Sequence, residues 1–156
     1  MGYLNNPKAT EETYDSEGFL HTGDIGSMTD GLLMIQDRLK EMIKVKGIAT
    51  APAELEDLLL GHPLVADAAV IGILDDYAGE LPKAFVVTKE GTPNNAETVD
   101  SIQKFVRERR NRNKWLAGGV EFMEQIPKTA SGKILRRQLR DQERAKLQAQ
   151  KAKAKL

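Results

Sequence analysis

Pro127-Lys128-Thr129-Ala130-Ser131-Gly132-Lys133 divides the last third of the chain into an extended part and a helical part. Its proline prevents a preceding strand from continuing, and its small residues favour an exposed loop. The sequence after Lys133 is charged with spaced apolar residues, which predicts a helix. A lysine on such a loop can bring a compact positive charge to a phosphate or a carboxylate, although a lone Ser-Gly-Lys is more often only solvated.

Two other readings of this basic region can be compared with the sequence. A Walker-type phosphate loop requires glycine at the position of Pro127 and Ser or Thr at the position of Ile134, so it is excluded. A nucleic-acid-binding arm is suggested by nine Lys/Arg residues against two acids from Lys133 onward. That segment contains no aromatic residue that could stack on bases, which argues against nucleic acid as a partner.

Length and composition fit one small globular domain. The 156 residues are 40% hydrophobic, and 23 Lys/Arg balance 23 Asp/Glu. The absence of cysteine excludes disulfides and cysteine-ligated zinc, and the two histidines, His21 and His62, lack the spacing of a helical ligand pair. No apolar run is long enough to predict a membrane span.

From Pro52 onward the apolar spacing predicts the order helix, strand, strand, helix, strand, helix. The predicted elements are a helix from Pro52 to Gly61, strands at 65–73, 83–88 and 120–126, a helix around 99–106 and a charged helix after Lys133. This order predicts an α+β domain with a sheet of about three strands flanked by helices. The first 36 residues do not share this core.

The first third of the chain contains shorter signals. Thr10 predicts the cap of a short helix, residues 18–22 a short strand, and Thr29-Asp30-Gly31 a hairpin turn. In the stretch Ile43-Lys44-Val45-Lys46 basic and apolar residues alternate, which predicts a strand with both lysines on one face. A basic face is also typical of a solvated sheet edge. Asp24, which follows Gly23, is a candidate to bind hydroxyl groups or, alternatively, an Asx turn that serves its own backbone.

Several motifs in a consistent order resemble the AMP-forming acyl-adenylate enzymes. They are Thr22-Gly23-Asp24, Asp37-Arg38-Leu39-Lys40-Glu41-Met42-Ile43-Lys44-Val45-Lys46-Gly47, Ala51-Pro52-Ala53-Glu54-Leu55-Glu56 and the stretch that ends at Lys133. That superfamily includes acyl-CoA synthetases, firefly luciferase and nonribosomal peptide adenylation domains. The motifs are most similar to the 4-coumarate–CoA ligase and luciferase branch, and the match extends to about Arg140.

The resemblance implies a ligase that first forms an acyl-AMP from a carboxylic acid and ATP and then transfers the acyl group to CoA. It implies ATP, Mg²⁺ and CoA as substrates or cofactor of the full-length enzyme, and no tightly bound cofactor in this chain. The implied roles are catalysis for Lys133 (adenylation) and Lys44 (thioester formation), nucleotide binding for Asp24 and Arg38, a hinge at Lys40, and CoA binding for Lys46 and Gly47.

The same resemblance implies three parts of the chain. Residues 1–36 would be the end of the large AMP-binding domain, a β-rich remnant; residues 37–140 would be the C-terminal mobile domain; and residues 141–156 would be a basic helical tail. The chain therefore resembles a fragment that needs an N-terminal adenylating domain, and we expect the isolated chain to be inactive. The alternative is a non-catalytic or regulatory fragment that pairs with an adenylating domain.

Two details depart from or extend this pattern. Ala49 stands where the branch commonly has glutamine, which leaves the substrate class and the effect on activity open. The last residues, Ala154-Lys155-Leu156, resemble the Ser-Lys-Leu peroxisomal signal, which predicts a peroxisomal location and an import receptor as partner. The alternative location is cytoplasmic.

Overall fold

The computed structural model describes residues 2–153, and the chain divides into two units, Met1–Lys40 and Glu41–Leu156. The first unit contains helix α1 (Pro7–Thr13) and the antiparallel strands β1 (Asp24–Thr29) and β2 (Leu32–Arg38). The predicted hairpin turn is confirmed. Asp30 and Gly31 both have positive φ, 51° and 76°, as a two-residue type I′ turn requires.

Two predictions for the first unit are wrong. The side chain of Asn6, not Thr10, caps α1 by accepting from the amide of Ala9. Residues 18–22 form no strand and contribute only the bridge between Leu20 and Tyr14. The reason is a local turn, because the carboxylate of Asp15 accepts the amides of residues 17 and 19 at 2.9 Å each.

In its described part, up to residue 153, the second unit contains five strands and three helices. These are β3 (Ile43–Val45), β4 (Ile48–Thr50), α2 (Pro52–Leu60), β5 (Val65–Asp75), β6 (Gly79–Thr88), α3 (Ala96–Arg107), β7 (Val120–Phe122) and α4 (Arg136–Lys153). Short 3-10 helices span Leu39–Glu41 and Arg112–Lys114. The sheet order is β4-β3-β6-β5, and β7 pairs in parallel with β6.

The α+β class is confirmed, and the sheet is larger than expected. It has five strands because the short hairpin β3–β4 joins it through the pair Val45 and Gly79. The prediction that Lys44 and Lys46 share a strand face is wrong. Lys46 and Gly47 form a two-residue turn with φ of 51° and 79°, so only Lys44 lies on the strand.

The core lies on both faces of the sheet. Val70 and Val86 belong to a cluster with residues of α2 and α3, whereas Phe85 packs on the opposite face with Leu139 of α4. Because β5 and β6 are covered on both sides, their sequences are nearly continuous apolar runs. Helices therefore flank the sheet on both faces.

Four charged side chains hold α4 against the sheet. Nζ of Lys83 is 2.8 Å from Glu121 and 2.6 Å from Glu143, and Lys146 binds both of these carboxylates. Burial alone would raise the pKa of Glu121, but hydrogen bonds from Lys146 and Lys83 outweigh it and leave this pKa below its ordinary value. Burial would likewise lower the pKa of Lys146, yet its two carboxylate partners raise it. The network thus favours the charged forms.

His62 is buried just after α2. The amide of Leu64 donates to Nδ1 at 3.2 Å, which leaves Nε2 as the protonated nitrogen that contacts Ser101 Oγ at 3.2 Å. Burial, with the positive charges of Arg109 and Lys89, lowers the pKa of His62. The ring therefore has a structural role in its neutral form.

Candidate functional site

The loop that carries Lys133 is closed by its own hydrogen bonds. Lys128 and Ile134 form an antiparallel bridge, and within it the amide of Thr129 donates to the carbonyl of Lys133 at 2.8 Å. The amide of Lys133 donates back to Thr129 Oγ1 at 3.1 Å. Gly132 supports the tight turn with φ of 81°. The side chain of Lys133 is exposed, as the sequence predicted.

Lys44 lies at the centre of β3 with its side chain exposed. Its neighbours Ile43 and Val45 are buried and point into the core on the α2 and α3 side. Alternation along the strand therefore directs Lys44 away from that core. The amide of Lys44 donates to Glu80 Oε2 at 2.7 Å, which fixes the strand at this position.

Lys46 lies in the turn that follows and contacts an aromatic side chain. Its Nζ is 4.3 Å from the ring centroid of Tyr77, a residue that is 83% exposed. The amide of Lys46 donates to the carbonyl of Ala78 at 2.7 Å. Lys46, Gly47 and Tyr77 thus form one exposed surface at the start of β6. Sequence reasoning missed Tyr77 and Glu80, whose only signal was their position between two predicted strands.

The segments that carry Lys44 and Lys133 are attached to opposite ends of the β5–β6 pair. Strand β3 meets β6 at Gly79. The Lys133 loop is attached through Lys128, whose Nζ is 2.6 Å from Asp67, and Asp67 pairs with Val87. Gly79 and Val87 are eight residues apart on β6, so about 26 Å of strand separates the two points of attachment.

Lys44 and Lys133 differ in their charge environment from five of the nine lysines of the second unit whose side chains the structure describes. Five lysines of this unit form ion pairs, namely Lys83, Lys104, Lys114, Lys128 and Lys146. Within residues 2–153, neither Lys44 nor Lys133 has an ion-pair partner, and the same is true of Lys46 and Lys89. Their ammonium groups therefore remain available to an anionic ligand.

Asp24 and Arg38, the predicted nucleotide-binding residues, meet within the first unit. Nε of Arg38 is 2.9 Å from Oδ1 of Asp24, and the two residues are direct partners across the hairpin. A β-bulge causes this pairing, because Gln36 has no partner between the pairs Gly26–Ile35 and Ile25–Asp37. Without the bulge, Asp24 would face Asp37, and two like charges would lie opposite each other.

The remaining expectations concern Lys40, metal ions and membranes. Lys40 is the last residue of the first unit. In residues 2–153 no three His, Asp or Glu side chains form a group that could hold a metal ion. Within the same residues, no helix combines the length and the apolar character needed to cross a bilayer.

Comparison with known sequences gives a consistent result. The model of the family described as AMP-binding enzyme C-terminal domain matches residues 54–133. The chain is 53% identical over 140 residues to 4-coumarate–CoA ligase 1 of Narcissus pseudonarcissus, with 89% of this chain and 25% of that relative covered. For 4-coumarate–CoA ligase 5 of Oryza sativa subsp. japonica the identity is 51%, with the same two shares covered. The chain thus spans about a quarter of the length of these curated relatives.

Solved structures that match this chain also cover most of it and about a quarter of their own length. The crystal structure of the ATP-bound RpMatB–BxBclM chimera B1 matches with a TM-score of 0.85 and 29% identity over 90% of this chain and 28% of that one. The o-succinylbenzoate CoA synthetase of Bacillus subtilis, in complex with its acyl-adenylate intermediate, matches with a TM-score of 0.76 and 34% identity over 88% and 27%.

Proposed function

Because this chain belongs to the family of the AMP-binding enzyme C-terminal domain, we propose that it is the C-terminal part of an ATP-dependent, AMP-forming acid–CoA ligase. In the first step a carboxylate oxygen of the acid attacks the α-phosphate of ATP, which forms an acyl-AMP and releases pyrophosphate. In the second step the thiol of CoA attacks the acyl carbon, loses its proton and displaces AMP. Two of the structural matches, one bound to ATP and one in complex with an acyl-adenylate, support this class.

The observation that carries the proposal is the placement of two exposed lysines without ion-pair partners, Lys44 and Lys133, on segments attached at opposite ends of β6. Lys133 would approach the reacting carboxylate and phosphate during adenylation and offset the repulsion between these anions. A preorganised charge of this kind contributes about 3–4 kcal/mol to the stability of a transition state. Lys44 would face the acyl-adenylate during thioester formation.

The other residues have supporting roles in the same proposal. Asp24 would accept the ribose hydroxyls, and Arg38, which already pairs with it, would bind the nucleotide. Lys46 and Gly47 would bind CoA, and rotation at Lys40 would exchange the two lysines between steps. Residues 1–36 would then be the end of the large AMP-binding domain, residues 37–140 the mobile domain and residues 141–156 a basic tail.

The experiment is a graft of the full chain onto the N-terminal part of the Narcissus 4-coumarate–CoA ligase, in place of the segment that it matches. Adenylation is measured as ATP–pyrophosphate exchange that depends on 4-coumarate. Thioester formation is measured separately by adding chemically prepared coumaroyl-AMP and CoA. The isolated chain, assayed alongside, is expected to show no exchange because it spans a quarter of that relative.

Two substitutions should separate the steps. Lys133→Ala should lower exchange by about 10²- to 10³-fold and leave thioester formation unchanged, whereas Lys44→Ala should do the reverse. Lys89→Ala, which removes another exposed lysine without an ion-pair partner among the described residues, is the matched control. Equal loss of both steps in either variant would contradict the division of roles. A folded graft that supports neither step would favour the non-catalytic alternative.

We also propose that Ala154-Lys155-Leu156, where it forms the C-terminus, directs import into peroxisomes through a receptor that binds this tripeptide. These three residues lie outside the described part of the structure. A fluorescent protein fused ahead of the chain should enter peroxisomes, and deletion of the three residues should return it to the cytosol. Cytosolic fluorescence of the intact fusion would contradict the proposal.

A further inference from the structure

Strand β5 lies at the edge of the sheet, and two carboxylates cover part of that edge. The amide of Val70 donates to Glu56 Oε1 at 2.8 Å, and the amide of Ala68 donates to Asp67 Oδ1 at 3.0 Å. Ala68 and Val70 are alternate residues of an antiparallel strand, so both amides point to the same side. Since both donate to carboxylates, that side is the one away from β6. Buried backbone donors need such partners, and the two carboxylates supply them for these two amides.

The second oxygen of each carboxylate binds a cation on the segment that contains Lys133. Asp67 Oδ2 is 2.6 Å from Nζ of Lys128, and Glu56 Oε2 is 2.7 Å from Nη2 of Arg136. One pair is partly exposed, whereas the side chains of Glu56 and Arg136 are only 9% and 16% exposed. We call these four residues the β5 clamp. The clamp residues Lys128 and Arg136 lie on either side of Lys133 in sequence.

Glu56 and Arg136 are the inner, more buried pair of the clamp. This pair determines the position of the loop more than it adds to the stability of the fold. A buried ion pair often contributes no more stability than an apolar pair of similar volume, because both charges lose their hydration. Nε of Arg136 is buried and has no hydrogen-bond partner within the described residues, which adds to that cost. What the pair supplies is a fixed start for α4 and hence a fixed end for the loop.

We propose that the β5 clamp positions Lys133 for adenylation, so that Asp67, Lys128, Glu56 and Arg136 act as positioning residues through the loop. This inference rests on the adenylation role proposed for Lys133. Internal hydrogen bonds and the two ion pairs of the clamp fix the loop that carries Lys133. Loss of either ion pair would therefore let the ammonium group of Lys133 move. A displacement of about 1 Å is enough to slow a reaction by about a hundredfold.

The outer, partly exposed pair of the clamp, Asp67 and Lys128, is tested in the grafted enzyme. Lys128→Met and Asp67→Asn remove the ion pair, and asparagine retains the acceptor for the amide of Ala68. Each variant should lower exchange by about ten- to a hundredfold while thioester formation from added coumaroyl-AMP stays within about twofold. The double variant Lys128→Met/Asp67→Asn should lose no more pyrophosphate exchange than either single variant. Lys128→Arg, which keeps the positive charge, should have the pyrophosphate exchange that Lys128→Met loses.

The inner pair, Glu56 and Arg136, is tested in the same enzyme with a control variant. Glu56→Gln combined with Arg136→Met keeps the bond to Val70 and should produce the same selective loss of exchange. Arg137→Met is the matched control, since Arg137 is 91% exposed and, among the described residues, forms one ion pair, with Asp141 at 3.8 Å. A parallel fall of both steps, failure of Lys128→Arg to rescue, or no effect of either pair would overturn the proposal.

Amide hydrogen exchange on the full chain gives a readout that does not depend on activity. Lys128→Met should accelerate exchange at Thr129, Lys133 and Leu135, whose amides close the loop, and Arg137→Met should not. If Lys133→Ala leaves pyrophosphate exchange intact, the proposed function fails, whatever the clamp does to the loop. If Lys133→Ala abolishes it and the clamp variants leave both readouts unchanged, only the positioning proposal fails.

Discussion

Replacement of Lys83 by methionine tests the charged network that holds α4 on the sheet. Lys83 is 13% exposed and binds Glu121 and Glu143, and its Nζ also lies 5.2 Å from the ring centroid of Phe85. Methionine retains most of the aliphatic volume over that ring but removes the charge. The variant therefore leaves two carboxylates close together with Lys146 as the remaining cation.

The expected loss of unfolding free energy follows from burial. Breaking a fully buried pair costs about 3–5 kcal/mol, because the remaining charge stays desolvated. Glu121 is 33% exposed, so water screens part of the charge that remains, and Lys146 still binds both carboxylates. We therefore expect about 2–3 kcal/mol at pH 7.

The pH dependence provides the sharper test. The pKa of Glu121 is lowered in the folded chain, so its contribution to stability is present above its unfolded pKa and is lost as the pH falls through the folded pKa. Loss of Lys83 removes part of that lowering. The difference in stability between the native chain and Lys83→Met should thus shrink as the pH falls from 7 towards 3.

The assay is urea unfolding followed by the fluorescence of Trp115, the only tryptophan of the sequence, which lies in the second unit. Lys104→Met is the control, because Lys104 is 75% exposed and 3.9 Å from Glu108, and it should change stability by less than about 0.5 kcal/mol. A difference for Lys83→Met below about 1 kcal/mol at pH 7, or one that is constant down to pH 3, would refute the reasoning.

Three further predictions use the same assay. Phe85→Ala should cost about 3–5 kcal/mol, because Phe85 is fully buried beneath α4, and a loss below about 1.5 kcal/mol would contradict this packing. Gly132→Ala should cost about 1 kcal/mol from backbone strain alone, since φ is 81° and the space for a Cβ is open; no loss would mean that the turn relaxes. Stability should fall as the pH drops below about 6.5, because His62 has a lowered folded pKa and gains its proton on unfolding. His62→Asn, which can keep the acceptor for Leu64, should flatten this dependence between pH 7.5 and 5.

The sequence predicted the elements that local signals define. Pro52 and Gly61 mark the ends of α2, and the apolar spacing located β5, β6 and α3, whose bounds the structure extends by a few residues. The motifs also led to the family, which the comparison with known proteins confirmed. The sequence order did not place β3 and β4 in the sheet, because three-residue strands depend on pairing for their stability: β3 pairs with β6, and β4 pairs only with β3.

Contacts distant in sequence could not be predicted from local patterns. Lys128 and Asp67 are 61 residues apart, and Arg136 and Glu56 are 80 apart, so only the fold brings them together. The pairing of Asp24 with Arg38 depends on one unpaired residue, Gln36, for which the sequence carried no signal. The roles assigned to Lys133, Lys44, Asp24, Arg38, Lys46, Gly47 and Lys40 stay predictions.

The partly covered edge of β5 also lowers the risk that the chain aggregates while it folds. An open strand edge offers amides to which another molecule can add a strand, and this is a common route to aggregation. Glu56 precedes Val70 by 14 residues, so α2 can block that amide soon after β5 is synthesised. Lys128 and Arg136 are synthesised later and bind the two carboxylates that already cover these amides. The carboxylates of Glu56 and Asp67 can thus block strand addition to the nascent chain before the loop that they later anchor has been synthesised.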